Sequence, residues 1–356
     1  MNNFNQKDKK AIFLKTKNIG DSIILTSAIN ALPEDYKYVD IVCFDESRPI
    51  FEMNPRVRHI FTIKKEEKKL KKLLGYFSIF LKIWGEHYDF LGHFSIDWRG
   101  ALIARILNVD LSVAKNNIRR GSLWNKSFSL IANVALKNRP AAEQDVDLLR
   151  KAKIYSALEA PDYQLVVPIN VKEKIKVWIS QEFYNNESKK LIVIHAASKW
   201  KFKELPSEVW SKVIDLLIKE GFNVVISGSV EDLKTNQELY GLCNIKPTLS
   251  KNFTLTETAA LLEYADLLIS IDTMAIHLAS AVKTPVIAIF GPNNEKNWAP
   301  WKVPHNIIAL SESDSPSFAC RPCGLDGCGG SKISNCLQGV KPDFIVNKAF
   351  AILAVS

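Results

Sequence analysis

Residues 269–301, ISIDTMAIHLASAVKTPVIAIFGPNNEKNWAPW, constrain this chain more than any other stretch. An apolar run over 265–271 leads into Asp272 and Thr273. A helical segment follows, with His277 near its start, and a second apolar run over 285–290 ends on Gly291 and Pro292. That order reads as strand, turn, helix, strand, with polar groups confined to the strand ends. Open α/β sheets bind ligands at those ends. The first turn of a helix presents free N–H groups and the positive end of its dipole, so phosphate is favoured there. The stretch points to a nucleotide or a nucleotide sugar as ligand.

The same rhythm runs along the rest of the chain. In the first half, strands are expected at 10–16, 38–44, 60–63 and 88–95, and helices at 22–32, 64–84 and 101–107. Pro161 and Pro168 bracket a boundary. Beyond it the pattern gives helix 171–183, strand 191–195, helix 207–220, strand 223–227, helix 256–264, the segment described above, and a last helix at 342–355. Alternating strands and helices predict an α/β fold with parallel sheets covered on both faces. A length of 356 residues suggests two domains. The expected architecture is two Rossmann-like domains, 1–165 and 166–341, whose sheets face a central cleft. The segment 342–356 is expected to pack back onto the first.

Composition narrows the class. A chain with 47% hydrophobic and 24% charged residues is ordinary for a soluble globular protein. No apolar run reaches the roughly 18 residues of a membrane span. The run at 11–14 is too short for a signal-peptide core, so a cytoplasmic protein is expected. The formal charge of +9 is compatible with nucleic acid, an anionic membrane surface or a phosphorylated substrate, or with lysine-rich composition alone. No nucleic-acid-binding module is visible, and no nucleic-acid partner is expected. GxGxxG does not occur, which weighs against a nicotinamide dehydrogenase.

Four places could carry chemistry. Gly20-Asp21 follows the first strand; Asp21 is either an N-cap or a general base for an acceptor hydroxyl. The loop HAASKWKFKELP after the 191–195 strand offers Ser198, Lys199 and Lys203, either as a solvated basic loop or as counter-charge for a departing diphosphate. Ser227-Gly228-Ser229 ends another strand and precedes Glu231 and Asp232, where an acid commonly takes a ribose hydroxyl. Asp272, Thr273 and His277 complete the set, and a phosphate at that helix start would touch Thr273 and His277.

These residues together resemble glycosyltransferase family 9, the heptosyltransferases, which have the GT-B fold. The first motif is Gly20-Asp21 followed by Leu25-Thr26. The second, DTxxxHxAxA…TPxxxxFGP, spans 272–292, and WxPW follows as Trp298–Trp301. The pattern covers about 10–345 and is most similar to the heptosyltransferase III-like branch. The resemblance implies an inverting, metal-independent transfer of heptose from ADP-L-glycero-D-manno-heptose to the lipid-linked lipopolysaccharide inner core. It places Asp21 as base and Lys203 at the diphosphate. Ser198, Lys199, Glu231, Asp232, Phe253, Asp272, Thr273, Met274 and His277 would hold the nucleotide sugar. Asp97, Arg99 and Lys126 would face the acceptor. Met274 replaces the family's usual glycine after Asp-Thr, and Ala196 its usual loop proline. The alternatives are a protein or other glycan as acceptor, or a non-catalytic nucleotide-sugar-binding protein.

Two features lie outside that pattern. Cys320, Cys323, Cys328 and Cys336 could form a structural Zn or Fe site, or remain reduced thiols. Residues 64–84 join lysines to Leu73, Phe77, Phe80 and Trp84. They form either an ordinary surface helix or a weak contact with the anionic inner face of the inner membrane.

Overall fold

The computed structural model describes residues 8–65, 69–184, 186–250 and 252–354. The chain divides into two compact units, Met1–Val166 and Val167–Ser356. Each is built on one six-stranded parallel sheet.

In the first unit the strands are β1 (Lys9–Lys15), β2 (Tyr36–Phe44), β3 (Val57–Ile63), β4 (His87–His93), β5 (Asn108–Lys115) and β6 (Leu130–Ala132). Their order is β3-β2-β1-β4-β5-β6. In the second unit they are β7 (Leu191–His195), β8 (Asn223–Ile226), β9 (Thr248–Leu249), β10 (Leu267–Ile271), β11 (Val286–Ile289) and β12 (His305–Ile308), ordered β12-β11-β10-β7-β8-β9. Counted within its own unit, each sheet therefore reads 3-2-1-4-5-6, the doubly wound Rossmann order. The strand order reverses between β1 and β4 in one unit and between β7 and β10 in the other.

The central strands read as near-continuous apolar runs because both faces are covered. Every residue of β7, β8, β10 and β11 is buried. Alternation still sorts the first sheet's side chains. Ile12 and Leu14 enter a cluster with Ile79, Ile83, Ile103, Trp124 and Phe128. Phe13 and Lys15 point to the opposite face, where helix Ala141–Lys151 lies.

Three expectations change. Helix Ile19–Asn30 begins earlier than the expected 22–32, because Asn18 is already its extended N-cap. Gly20 thus sits inside the first turn and makes no turn of its own. Lys69–Ile83 is helical, while residues 66–68 of the expected 64–84 helix lie outside the described residues. The last helix, Pro342–Leu353, packs in the core of the second unit. Its Ile345, Val346, Ala349 and Ile352 join Trp210 and Val213 of helix Ser207–Lys219 and Ile287 and Ile308 of the sheet. Ile345→Ala should cost about 2–5 kcal/mol in chemical denaturation, and a loss below about 0.5 kcal/mol would mean that this helix is not part of the core.

Candidate active site

Parallel sheets collect polar groups at the carboxyl ends of their strands, and both units do so beside the point where strand order reverses. In the second unit this point lies between β7 and β10. The chain leaves β7 through His195 and reaches a short turn at Lys201–Lys203. It leaves β10 through Asp272 into Thr273, the N-cap of helix Met274–Ala281. Lys203 bridges the two exits. Its Nζ lies 2.8 Å from Asp272 Oδ2 and donates to the Asp272 carbonyl at 3.2 Å. Asn293 Nδ2 donates to the same Oδ2 at 2.6 Å. Thr273 Oγ1 accepts from Ala275 N at 3.3 Å and lies 3.2 Å from Ser270 Oγ. Met274 opens the helix, and His277 is buried one turn on, with its ring 6.3 Å from that of Trp298.

The remaining expected donor residues sort by what already engages them. Ser198 Oγ accepts from Trp200 N at 3.1 Å, and its own N–H donates to Glu204 Oε1. Lys199 is exposed beside it. Asp232 Oδ2 accepts from Ser229 N and Oγ, both at 2.8 Å, so its carboxylate closes a capping box; Glu231 is exposed. Gly228 is required here, since a Cβ would stand 2.4 Å from Asn236 Nδ2 and 2.9 Å from Asp232 Cβ. His195 is buried beside Ser227 Oγ at 3.1 Å, and burial lowers its pKa despite the pull of Asp232, which keeps the imidazole neutral. Phe253 meets Trp178 edge-on at 4.9 Å.

The first unit has its own cluster at the ends of β1, β4 and β5. Asp21 stands in the first turn of helix Ile19–Asn30. Lys17 Nζ lies 3.4 Å from its Oδ1, and Lys15 Nζ lies 4.0 Å away. Lys15 is buried and donates to Asp145 Oδ2 at 2.6 Å, while Lys115 donates to Asp145 Oδ1 at 2.7 Å. Burial pushes the Lys15 ammonium down to about 8, against the pull of Asp145. Burial opposes the Asp145 charge too, and the two lysines outweigh it, so its carboxyl lies below the ordinary value. Asp97 caps helix Trp98–Ile106 through Arg99 N and Gly100 N and accepts from Thr16 Oγ1 at 2.8 Å. Against the cost of burial, His93, Thr16, Arg99 and Gly100 hold its pKa down. Arg99 Nε reaches Asp97 Oδ1 at 3.3 Å. Lys126 is exposed at the end of helix Gly121–Asn125.

Sequence reasoning missed Lys15, Lys115 and Asp145. It also missed Arg119 and Arg120, which line a pocket of about 430 Å³ with Ile96 and Asn117. A lysine closing the apolar run 11–14, a few residues before Gly20-Asp21, was the available signal for Lys15. Trp178, Asn293 and Arg321 were missed as well. Arg321 is the organising group of the cysteine-rich segment. Its guanidinium donates to the carbonyls of Gly291, Leu310 and Asn293 and meets Glu295 at 3.1 Å. Ser334, from the same segment, donates to the Phe202 carbonyl at 2.6 Å. The segment thus braces the loop of Asn293 and the turn of Lys203. Its Cys323 and Cys328 lie near enough to Cys336 to act on that thiol. Among the described residues only His87, Asp89 and Asp110 bring three ligand atoms within 4.8 Å of one another. Cys320 and Cys328 are exposed, Cys336 is buried, and burial raises the Cys336 thiol pKa.

Two doubly wound sheets of one order in a single chain, each with polar groups at its reversal point, define the GT-B class of glycosyltransferases. The sequence profile of glycosyltransferase family 9 (heptosyltransferase) matches residues 77–323, and the chain belongs to that family and is a glycosyltransferase. It is 26% identical over 303 residues to lipopolysaccharide heptosyltransferase 3 of Escherichia coli, covering 83% of this chain and 86% of that one. The counterpart from strain K12 is 27% identical over 298 residues, covering 81% and 84%. Among solved structures, a family 9 glycosyltransferase from Veillonella parvula superposes with a TM-score of 0.85 at 17% identity, covering 98% of each chain. The E. coli ADP-heptose lps heptosyltransferase II superposes at 0.74 and 17% identity, covering 98% of this chain and 99% of that one.

The buried triad yields a stability test. Asp145→Asn leaves two buried ammonium groups without their shared counter-charge and should cost about 3–5 kcal/mol near neutral pH, read by urea unfolding. The folded Lys15 pKa of about 8 lies below its ordinary 10.5, so between those values the unfolded chain binds more protons and raising pH favours the fold. Asp145→Asn depresses that pKa further, so the deficit should shrink as pH rises towards 10.5. A deficit that grows with pH would contradict this ionisation.

Proposed function

We propose that this chain is an inverting heptosyltransferase that uses ADP-L-glycero-D-manno-heptose as donor. Its acceptor is a heptose of the lipid-linked lipopolysaccharide inner core, met on the cytoplasmic side of the inner membrane. The observation that carries the reading is the Lys203–Asp272 bridge across the reversal point of the second sheet, in a chain that aligns along 83% of its length with a lipopolysaccharide heptosyltransferase.

The second unit would hold the donor. Glu231, exposed and outside the capping box, suits a ribose hydroxyl better than Asp232, whose carboxylate is already engaged. Ser198 and Lys199 line the phosphate loop, and Phe253 covers the adenine. A lysine head has three N–H donors, and Lys203 spends two on Asp272. The third remains for the diphosphate, together with Thr273 and the helix start at Met274. His277 supports that start from within the same helix.

The first unit would supply the acceptor side. Asp21 takes the proton of the attacking hydroxyl, whose oxygen bonds to the anomeric carbon as the bond to the diphosphate oxygen breaks. Charge builds on that oxygen, and ADP leaves with it. Lys203 and the dipole of helix Met274–Ala281 compensate the growing charge, and fixed compensation of this kind acts where the transition state needs it. Lys17 and Lys15 place two ammonium groups beside Asp21, at 3.4 and 4.0 Å. Asp97, Arg99 and Lys126, with Arg119 and Arg120, give the acceptor side hydrogen-bonding and cationic groups.

Asp21→Asn should lower kcat by about 100- to 10,000-fold while donor binding, read by thermal shift, persists. Retained turnover would remove Asp21 as base. Lys203→Ala should lower kcat by about 100-fold or more, with an unchanged rate assigning the diphosphate to another group. ADP-heptose should raise the melting temperature where UDP and GDP sugars do not. Stabilisation by a UDP or GDP sugar alone would refute the donor assignment.

A further inference from the structure

The cysteines at 320–336 take no part in the chemistry assigned above, yet they sit on the segment that braces it. Cys328 is exposed and Cys336 is buried. The chain between them is a tight loop. Cys328 N donates to the Ile333 carbonyl at 2.7 Å, and Ser331 N donates to the Cys328 carbonyl at 3.1 Å. Gly327 is buried beneath that closure with a φ of +99°, where a Cβ would stand 2.6 Å from Ile333 N. Glycine alone suits such a position, and it leads directly into Cys328. Past the loop, Asn335 N donates to Cys328 Sγ at 3.4 Å. The sulfur thus rests on the residue directly before Cys336, and it lies near enough to act on the Cys336 thiol.

The residues flanking Cys336 connect this pair to the donor side. Ser334 donates to the Phe202 carbonyl at 2.6 Å, next to Lys203. Leu337 is wholly buried and packs on Gly291, where a Cβ would meet its Cδ1 at 2.6 Å. Cys336 is therefore anchored from both sides, while residues 328–333 are exposed. One sulfur is open to a reagent in solution and the other is shielded beside it. That is the arrangement of an attacking thiol and a resolving one. Cys323 also lies near Cys336 but is only half-exposed, so Cys328 has the better access.

We propose that Cys328 and Cys336 are a modification site, where exchange with a low-molecular-weight disulfide joins them in a reversible disulfide. The Cys328 thiolate attacks one sulfur of the reagent, whose S–S bond breaks, and its other half leaves as a thiolate. Cys336 then gives its proton to solvent and attacks the Cys328 sulfur, expelling the second half. The two cysteines lose two electrons and two protons, and the reagent ends as two thiols. The ring so closed fixes the segment that carries Ser334, and through it the turn of Lys203. The pair stands on its own geometry, independently of donor and acceptor identity, and its test uses neither.

The experiment treats the full chain with oxidised glutathione and follows the intact and trypsin-cleaved protein by mass spectrometry. Lys332 is the one tryptic site between the two cysteines, so cleavage separates their peptides unless a disulfide joins them. The wild type should yield the joined peptides, which a reductant parts. Cys328→Ser should abolish the link, and Cys323→Ser should leave it. Cys336→Ala should retain glutathione on Cys328, since nothing expels it. Cys328 is exposed, so Cys328→Ser should keep the wild-type melting temperature and decides the matter even if Cys336→Ala fails to fold. The oxidised wild type should melt about 3 °C or more above the reduced form. A link from Cys320 or Cys323 to Cys336, or a chain that acquires no link, would overturn the proposal. An oxidised form that melts no higher would overturn its bracing of the segment. Thiols that react only once a chelator is added would instead assign the cysteines to a metal ion and overturn the disulfide.

Discussion

A parallel strand covered on both faces can leave a charge open to a ligand only where it ends, while a charge within it must be paired, as Asp40 of β2 is with Arg58. β7 and β10 are buried throughout, so their first polar side chains with freedom to meet a ligand lie in the loops that follow. At the reversal point the two neighbouring strands send their loops to opposite faces of the sheet, which opens a crevice between them. Lys203 and Asp272 come from the two sides of such a crevice and meet at 2.8 Å. Lys15, Lys115 and Asp145 gather at the carboxyl ends of β1 and β5 for the same reason. The donor-side candidates cluster there because β7 and β10 carry no aspartate, glutamate, lysine or arginine along their length.

Buried ion pairs of this kind are poor sources of net stability, since desolvation offsets most of the attraction. Their value lies in what they fix. Asp145 holds two ammonium groups at 2.6 and 2.7 Å, which sets Lys15 at a defined distance from Asp21. Asp272 likewise takes two of the Lys203 donors and leaves the third direction defined. The head of an unpaired surface lysine would be spread over many rotamers, and ordering it at the moment of reaction would cost free energy. Here that ordering is already present in the folded chain, which is the physical meaning of a preorganised charge.

The α/β class, the strands at 191–195 and 265–271 and the Asp272-Thr273 turn were legible because apolar runs and their punctuation are local signals. Residues 108–160 were not. Asp110 and Ser112 interrupt β5, and β6 has only three residues. Helix Ala141–Lys151 turns Glu143 and Asp145 inwards, so the charged residues that betray an exposed face elsewhere lie on its buried side. Lys15 was overlooked on the same ground: at 2% exposure it lies as deep as its apolar neighbour Leu14. Asp21, Lys203 and Thr273 were singled out through motif spacing, which carries a trace of tertiary neighbours that periodicity lacks. Asp145 belongs to no such motif, and only the fold brings it to Lys15.

The cysteine-rich tail shows how a conspicuous pattern can mislead about the residues beside it. Four cysteines within a short span draw attention to thiolate chemistry, yet Arg321 and Ser334 make polar contacts with the rest of the unit and Leu337 enters its core. An arginine 4% exposed, with donors to three carbonyls and a carboxylate, fixes the loop that carries Asn293. Asn293 in turn donates to Asp272, and Ser334 holds the turn ending in Lys203. Both partners of the central ion pair are therefore braced from one segment that lies outside the sheet. Such a brace narrows the range of positions available to Lys203 and Asp272 without contributing a ligand of its own. The tail's bracing of the site rests on the arginine's planar fork.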